Sequence, residues 1–206
     1  MRESDKAYNA IIDQIGTGKL RCGQAINDER LQTELKVGKT PLREALFRLT
    51  QDGYITMIPH RGMFVTTFDV AQLESLLNLR MLLSGYLSER LVQNAQESEI
   101  DKCDTKMREL ICLGADMPLD EVLRADLQFH KMIGELSGDS ILAGILNKLE
   151  FMSSMALTPH SKEYYLNEES VKAEYFDIFR LIRERNQAGL EAALKRHIPR
   201  YVLQHN

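Results

Sequence analysis

The segment DLQFH contains the residues whose types and spacing are best suited to chemistry. Asp126 and His130 stand four residues apart, so both lie on one face of a predicted helix. The carboxylate and the imidazole point inward beside each other, as metal ligands or a hydrogen-bonded couple would. His197 is a second inward imidazole. The apolar residues that define the two faces are Leu119, Leu123, Phe129 and Ile133 for the first, and Leu190, Leu194 and Tyr201 for the second.

Arg80 lies in an otherwise apolar stripe of another predicted helix. At about 100° per residue, it shares a face with Leu73, Leu77, Ser84, Leu87 and Leu91. A buried guanidinium needs a partner, because removing it from water without one is costly. Two interpretations stay open: Arg80 forms an internal salt bridge, or it binds a carboxylate or phosphate of a ligand.

The segment KTPLREALFRLTQDGYI gathers cations in a chain whose net charge is −4. Lys39, Arg43 and Arg48 lie away from the apolar side of a predicted helix, and the turn His60-Arg61-Gly62 adds further polar residues downstream. Such cations are most often a solvated helix face. Their position on a helix that follows a turn and precedes a hairpin favours contact with a polyanion. The apolar side of the helix consists of Leu42, Ala45, Leu46 and Leu49.

Composition excludes several classes of protein. The chain has 206 residues, of which 44% are hydrophobic and 27% charged, as is usual for a globular protein of two domains. No apolar run approaches the roughly 20 residues of a membrane span, and the N-terminus is too polar for a secretory signal. The three cysteines lack C-x-x-C spacing and predict neither a disulfide framework nor a thiolate zinc site. We therefore expect a cytoplasmic protein.

The first region, residues 1–68, predicts a winged helix-turn-helix. One helix begins at a Ser4 cap and runs to about Ile15, and a second begins near Asn27 or Asp28. A third begins with Thr40 as N-cap and Pro41 in the first helical position. The runs YITMI and MFVTT around PHRG predict a β-hairpin, which forms the wing. In this arrangement the helix after the turn enters the major groove of DNA.

The second region, residues 69–206, shows helical periodicity and no convincing strand. The fold class is therefore mainly α, with an N-terminal winged helix-turn-helix followed by an all-helical bundle. The predicted helices of the bundle are 69–94, 97–113, 119–137, 141–156, 168–185 and 187–203.

The N-terminal region resembles the DNA-binding domain of GntR-family transcriptional regulators, above all in TPLREAL, the following Asp-Gly and RGMFV. The resemblance implies DNA contacts from Lys39, Thr40 and Arg43 and from the wing residues His60, Arg61 and Gly62; we add Arg48, further along the helix. Two positions depart from the family pattern. Gly38 replaces a usual Ser or Thr, so one phosphate-binding hydroxyl is absent. Lys39 replaces a usual Arg, and a lysine cannot form the bidentate fork of an arginine.

The C-terminal region resembles the FadR-type FCD ligand-binding domain. That family often binds a divalent metal such as zinc or nickel through an Asp and three His, and the effector's carboxylate completes the coordination. The resemblance assigns Asp126, His130 and His197 as metal ligands, whereas the third His position falls on Tyr175. Ser84 replaces a glutamate common in the family. We predict that an organic-acid effector binds near Arg80, Ser84 and Tyr175. A loop histidine, His160, is a further candidate ligand.

These observations predict a homodimeric, ligand-responsive transcriptional repressor that binds a pseudo-palindromic operator in double-stranded DNA. One alternative is the same DNA-binding protein with a degenerate, effector-free C-terminal domain. Another, from a different class, is a metal-dependent hydrolase that activates water at Asp126, His130 and His197. We expect no enzymatic activity, because the hydrolase reading leaves the DNA-binding module unexplained.

Overall fold

The computed structural model describes residues 2–111, 118–157 and 168–198, with the side chains of residues 168–172 excepted. The chain divides into two units, Met1–Asp69 and Val70–Asn206, which are described separately. In the described ranges no helix is both long enough and apolar enough to cross a membrane.

The first unit has three helices and an antiparallel hairpin, which confirms the predicted winged helix-turn-helix fold. The helices are α1 (Glu3–Gly16), α2 (Asp28–Leu35) and α3 (Lys39–Gln51), and the strands are β1 (Ile55–Ile58) and β2 (Gly62–Val65). Ile55 pairs with Val65 and Ile58 with Gly62, so the turn between the strands is short. Ala25 forms an isolated bridge to Phe64 and thereby ties the loop before α2 to the wing.

The core of this unit consists of the apolar sides of its helices closed by one end of the hairpin. The predicted buried side of α3 is confirmed, because Leu42, Ala45, Leu46 and Leu49 are all inaccessible to solvent. The other buried apolar residues of the unit are Ala7, Ile11, Ile15, Leu20, Leu31, Ile55 and Val65. One side of α3 is thus fixed against α1 and β1, and its other side is solvent-exposed.

Two predicted helix starts are wrong. Helix α1 begins at Glu3 after Arg2, so Ser4 lies inside its first turn. Helix α3 begins at Lys39, and Gly38, with an extended backbone, is its N-cap. Thr40 and Pro41 are therefore the second and third helical residues. The first four N–H groups of a helix have no intrahelical partner, so proline is tolerated at any of these positions and does not mark the first one.

The second unit has six helices in its described residues and no strand among them, in agreement with the predicted helical bundle. They are α4 (Val70–Asn94), α5 (Glu97–Ile111), α6 (Leu119–Leu136), α7 (Ser140–Leu157), α8 (Glu168–Arg183) and α9 (Gln187–His197). Helix α9 is shorter than predicted, since Ile198 already has an extended backbone. The rest of the predicted helix, including Tyr201, lies outside the described residues, as do His160 and residues 112–113.

Two arginines fix the helices that surround the centre of the bundle. Arg183 on α8 forms ion pairs with Glu97, Asp101 and Asp104 of α5, at 2.8–3.1 Å. Arg185, which follows α8 and has a φ of 54°, donates hydrogen bonds to carbonyl oxygens of Val92 and Ala95 at the end of α4. These carbonyls lack intrahelical partners, and a guanidinium satisfies them. The ends of α4, α5 and α8 are therefore held together.

Candidate DNA-binding face and candidate metal centre

The exposed side of α3 presents two cations, Lys39 and Arg43, near its amino end. Lys39 and Arg43 are four residues apart and both exposed, so their side chains lie on the same face. Among the described residues, neither has a hydrogen-bond or ion-pair partner. No side chain caps the helix, since its N-cap is Gly38. The amino end of α3 therefore offers free N–H groups and the positive end of the helix dipole beside Lys39 and Thr40.

Arg48, by contrast, has partners within its own unit. Its Nη1 lies 2.8 Å from Oδ1 of Asp5, and its guanidinium lies 4.5 Å from the ring centroid of Tyr8. Tyr8 in turn donates a hydrogen bond of 2.7 Å to Asp52 at the end of α3. These contacts join α3 to α1. Arg48 thus has a structural role within its unit, and its predicted contact with DNA stays a prediction.

The wing tip carries His60, Arg61 and Gly62 in an exposed turn. His60 has a φ of 59° and Gly62 a φ of 100°, which is uncommon for a residue other than glycine and turns the chain tightly. The N–H of Arg61 donates to the carbonyl of Ile58. The Arg61 side chain has no ion pair among the described residues, so the tip presents a further cation in addition to Lys39 and Arg43.

In the second unit the structure brings three predicted metal ligands together in its core. Asp126 and His130 come from α6 and His197 from the end of α9, and their potential ligand atoms all lie within 4.8 Å of one another. Nε2 of His130 and Nε2 of His197 each lie 3.7 Å from Oδ1 of Asp126. Ligands bound about 2.1 Å from a tetrahedral ion are about 3.4 Å apart. The two distances to Asp126 are close to this value, and all three ligand atoms would have to draw together from within 4.8 Å to hold an ion.

Two glutamates that the sequence analysis missed orient the two imidazoles. Nδ1 of His197 lies 2.9 Å from Oε2 of Glu174 on α8, and Nδ1 of His130 lies 3.4 Å from Oε1 of Glu150 on α7. Each ring thus turns one nitrogen to a carboxylate and the other to Asp126. This arrangement is typical of metal-bound histidines, whose second nitrogen donates to a carboxylate that fixes the ring.

Tyr175 occupies the position where the family resemblance puts a third histidine. It is buried, and its hydroxyl donates a 2.8 Å hydrogen bond to Oδ1 of Asp126. Its ring contacts Phe129 at 4.5 Å between centroids. A neutral phenol is a weak metal ligand because its pKa is near 10. Tyr175 is therefore better suited to orienting Asp126 than to coordinating an ion.

Electrostatics keep Asp126 ionised in this buried place. Burial alone would raise the pKa of Asp126, but His130, His197 and the Tyr175 hydroxyl hold it below its usual range. Burial lowers the pKa of His130. Burial also acts to lower the pKa of His197, but its hydrogen bonds to Asp126 and Glu174 outweigh it and raise that pKa to about 9. The centre thus has an anionic oxygen and a neutral imidazole available.

Arg80 is almost completely buried, at 4% exposure, and forms an internal salt bridge to Glu150 through Nη2 and Oε2. Of the two interpretations from the sequence, the structure shows the internal salt bridge. Its acidic partner, Glu150, was not identified from the sequence. Nε of Arg80 has no hydrogen-bond partner among the described residues. Ser84 is buried too, but its hydroxyl donates to the carbonyl of Arg80 on the same helix, so it is already engaged with the backbone.

Glu150 joins the two halves of this polar network. One carboxylate oxygen binds Arg80 on α4, and the other faces His130 on α6. The network therefore runs from Arg80 through Glu150, His130 and Asp126 to His197. A signal for Glu150 does exist in the sequence, because it is the only acidic residue in α7, a helix that is otherwise largely apolar. Glu174 gives no such signal, since α8 carries several acidic residues.

Both units match known protein families. Residues 3–65 match the family described as bacterial regulatory proteins, gntR family, and residues 75–200 match the FCD domain. The two matched ranges correspond to the two units of the fold.

Relatives and solved structures agree with these matches. The chain is 34% identical over 110 residues to an uncharacterized HTH-type transcriptional regulator of Mycobacterium tuberculosis, a match that covers 53% of this chain and 45% of the relative. It is 32% identical over 123 residues to the Nta operon transcriptional regulator of Aminobacter aminovorans, covering 59% and 58%. The matches thus span about half the length of these relatives. McbR/YncC of Escherichia coli has the same fold, with a TM-score of 0.85, 17% identity and full coverage of both chains.

Proposed function

This chain belongs to the GntR family of bacterial regulatory proteins and carries an FCD domain, and from that premise we propose that it is a ligand-responsive, DNA-binding transcriptional regulator. The observation that carries the proposal is the exposed face of α3, where Lys39 and Arg43 have no partner among the described residues. A DNA-binding regulator of bacteria acts in the cytoplasm. Repression stays a prediction that a reporter gene behind the bound site would test.

The proposed DNA contacts follow from the geometry of α3 and the wing. The major groove is about 12 Å wide and admits one helix. With α3 in the groove, Arg43 faces base edges, and Lys39, Thr40 and the free N–H groups beside them face a phosphate. The wing residues His60, Arg61 and Gly62 then contact the flanking backbone or minor groove. Gly38 contributes no hydroxyl here, so we expect one phosphate contact fewer than in relatives with Ser or Thr.

The Arg43→Ala variant should weaken binding to the protein's preferred duplex by about 1–3 kcal/mol, because it removes a cation that reads a base edge. The duplex is obtained by selection from a random pool with the full-length chain. Fluorescence anisotropy at fixed salt then measures the dissociation constants. Arg48→Ala is the matched control on the same helix, and its ion pair with Asp5 predicts a smaller effect. Equal losses for both variants, or none for Arg43→Ala, would contradict the assignment.

The effector that we propose is a small organic acid bound at Arg80. The carboxylate of the acid replaces that of Glu150, which binds the guanidinium in the described structure. It also accepts a hydrogen bond from Nε of Arg80, which has no partner among the described residues. Tyr175 belongs to the same polar network, because its hydroxyl donates a hydrogen bond to Asp126. Such an exchange changes the contacts that join α4 to α7. We propose that it alters operator affinity by about 1–3 kcal/mol, the usual size of coupling between two sites.

We further propose that Asp126, His130 and His197 hold a divalent metal ion such as zinc or nickel. The support is the convergence of three ligand atoms and the carboxylates behind both imidazoles. Because Glu150 and Glu174 are bound to the outer nitrogens of the histidines, they are not positioned as bases for a metal-bound water. This favours a ligand-binding role over hydrolysis.

A homodimer is the proposed assembly, and an apolar surface on the second unit is the candidate interface. Leu82 on α4 and Ile141 on α7 are 77% and 75% exposed. Tyr86 on α4 donates a hydrogen bond to Asp139, the residue before α7, and α4 packs against α7, so we expect their exposed apolar residues to form one surface. This surface also contains Leu79 and Ile145. A second copy of the chain would cover it and align two DNA-binding units with two half-sites.

The double variant Leu82→Glu, Ile141→Glu should be monomeric. Each of these side chains contributes about 1.5–3 kcal/mol when fully buried, so we expect the dimer dissociation constant to rise more than about a hundredfold. Sedimentation velocity measures the change. Met57→Glu, at another exposed apolar position in the first unit, is the control and should stay dimeric. A wild-type monomer at micromolar concentration, or a dimeric double variant, would refute this interface.

A further inference from the structure

Phe47 is a large apolar side chain on the cationic face of α3. It is 57% exposed, although burying a side chain of this size would stabilise the fold. Phe47 follows Lys39 and Arg43 at intervals of four residues, so the three form one row along the helix. The apolar side of α3 that packs into the core is formed by other residues, namely Leu42, Ala45, Leu46 and Leu49.

The described residues provide neither an aromatic ring nor a cation as a partner for the side chain of Phe47. Single exposed apolar residues are common on protein surfaces. This one, however, lies in the row that the proposed function places against DNA, one helical turn beyond Arg43. Its environment on binding would be the floor of the major groove.

The major-groove edges of the bases carry one apolar group, the C5-methyl of thymine, and phenylalanine is among the residues that contact it. Four residues of helix rise about 6 Å, and stacked base pairs are about 3.4 Å apart. The ring of Phe47 would therefore reach a base one or two pairs from the one that Arg43 reads. The cations in the same row supply the charge complementarity that brings a duplex to this face.

We propose that Phe47 is a specificity-determining residue that recognises the methyl group of a thymine in each operator half-site. The inference rests on the proposed function, because it requires α3 to lie in the major groove. It adds a direct apolar readout to the polar contacts of Arg43. It also predicts that the preferred half-site contains a thymine at a fixed distance from the base that Arg43 contacts.

The test replaces thymines with deoxyuridine, which keeps the base pair and removes only the methyl group. The full-length protein first selects its preferred duplex from a random pool. Each thymine of that duplex is then changed singly, and dissociation constants are measured for the wild type, Phe47→Ala and Arg43→Ala. One position per half-site should weaken wild-type binding by about fourfold, the factor expected for one buried methyl group. Phe47→Ala should show no loss there, whereas Arg43→Ala should bind more weakly overall and keep the loss.

The other outcomes overturn the inference in distinguishable ways. If the wild type binds the duplex but no deoxyuridine changes its affinity by twofold, the proposed function stands and the methyl readout fails. If Phe47→Ala shows the same loss as wild type, another residue reads the methyl group. If Phe47→Ala instead changes the oligomeric state in sedimentation, the ring contacts a second copy of the chain. If no duplex binds in a salt-sensitive manner, the proposed function itself fails. Phe47→Gln is a second variant, and glutamine is a stronger helix former than phenylalanine. Thermal unfolding of Phe47→Ala and Phe47→Gln shows whether a folding defect causes any loss of binding.

Discussion

The Glu150→Ala variant is expected to lose about 3–5 kcal/mol of unfolding free energy, because it leaves the guanidinium of Arg80 buried without its counter-ion. For a chain of this size, that loss corresponds to a melting temperature lower by about 6–20 °C. The effect is large because Arg80 is only 4% exposed and Glu150 only 11%, so water cannot replace the missing carboxylate. Thermal unfolding followed by calorimetry measures it.

Two control variants separate this mechanism from a general effect of losing a glutamate. Glu184→Ala removes one of the two partners of Arg180, in an exposed ion pair at the end of α8, and should cost less than about 1 kcal/mol. The double variant Arg80→Leu, Glu150→Leu removes both buried charges and should recover most of the stability lost by Glu150→Ala. If the double variant is as unstable as the single one, the loss comes from packing and not from the unpaired charge.

The same variant tests the proposed exchange of carboxylates at Arg80. With Glu150 absent, acetate or another small organic acid should bind Arg80 and raise the melting temperature of Glu150→Ala more than that of the wild type. Chloride at equal ionic strength is the control for general screening. An equal response of both proteins to every acid would argue against Arg80 as the anchor of an effector and would favour the effector-free alternative.

Replacing Asp126 with Ala should reduce the affinity for zinc or nickel by more than about 100-fold, because even groups that only orient a metal ligand contribute 10–100-fold. Glu174→Gln removes the carboxylate that binds Nδ1 of His197, and it should reduce the metal affinity by about 10–100-fold. Metal content after equilibrium dialysis, measured by mass spectrometry over a series of free-metal concentrations, gives the affinities. Tyr175→Phe removes the hydroxyl that Asp126 accepts from, and we expect a smaller effect because Tyr175 is not itself a ligand.

Asp177→Asn is the matched control for Glu174→Gln. Both residues lie on α8 with similar side-chain exposure, 35% and 34%, but Asp177 pairs with Arg180 and Arg196 and not with a histidine. The metal affinity of the Asp177→Asn variant should equal that of the wild type. A wild-type protein that takes up no ion would refute the metal centre, and undiminished uptake by Asp126→Ala would mean that ions bind elsewhere.

The sequence predicted the parts of the site that follow from helical periodicity. The spacing of Asp126 and His130 and the apolar neighbours of Arg80 and His197 placed all four inside the bundle, and all four are there. Their partners could not be predicted in the same way. Glu150 meets Arg80 and His130 only because α4, α6 and α7 pack together, and periodicity along one helix does not report how helices pack.

The errors at helix ends have a similar cause. Periodicity identified α3 and its buried side correctly, but its first residue depends on the local backbone. Gly38 has the extended conformation of an N-cap without providing a capping side chain, so a rule that searches for Ser, Thr or Asp chose Thr40 instead. The contacts of Arg48 to Asp5 and Tyr8 could not be predicted either, because they depend on the packing of α1 against α3.

Helix α4 begins at the first residue of the second unit and runs without interruption past Arg80 to Asn94. About 15 Å of regular helix separates Val70 from Arg80, and no glycine or proline in that stretch provides a joint. We therefore expect this stretch of α4 to move as one regular helix. If the proposed effector rotates the helix at Arg80, we expect the backbone at Val70, the first residue of the second unit, to rotate with it.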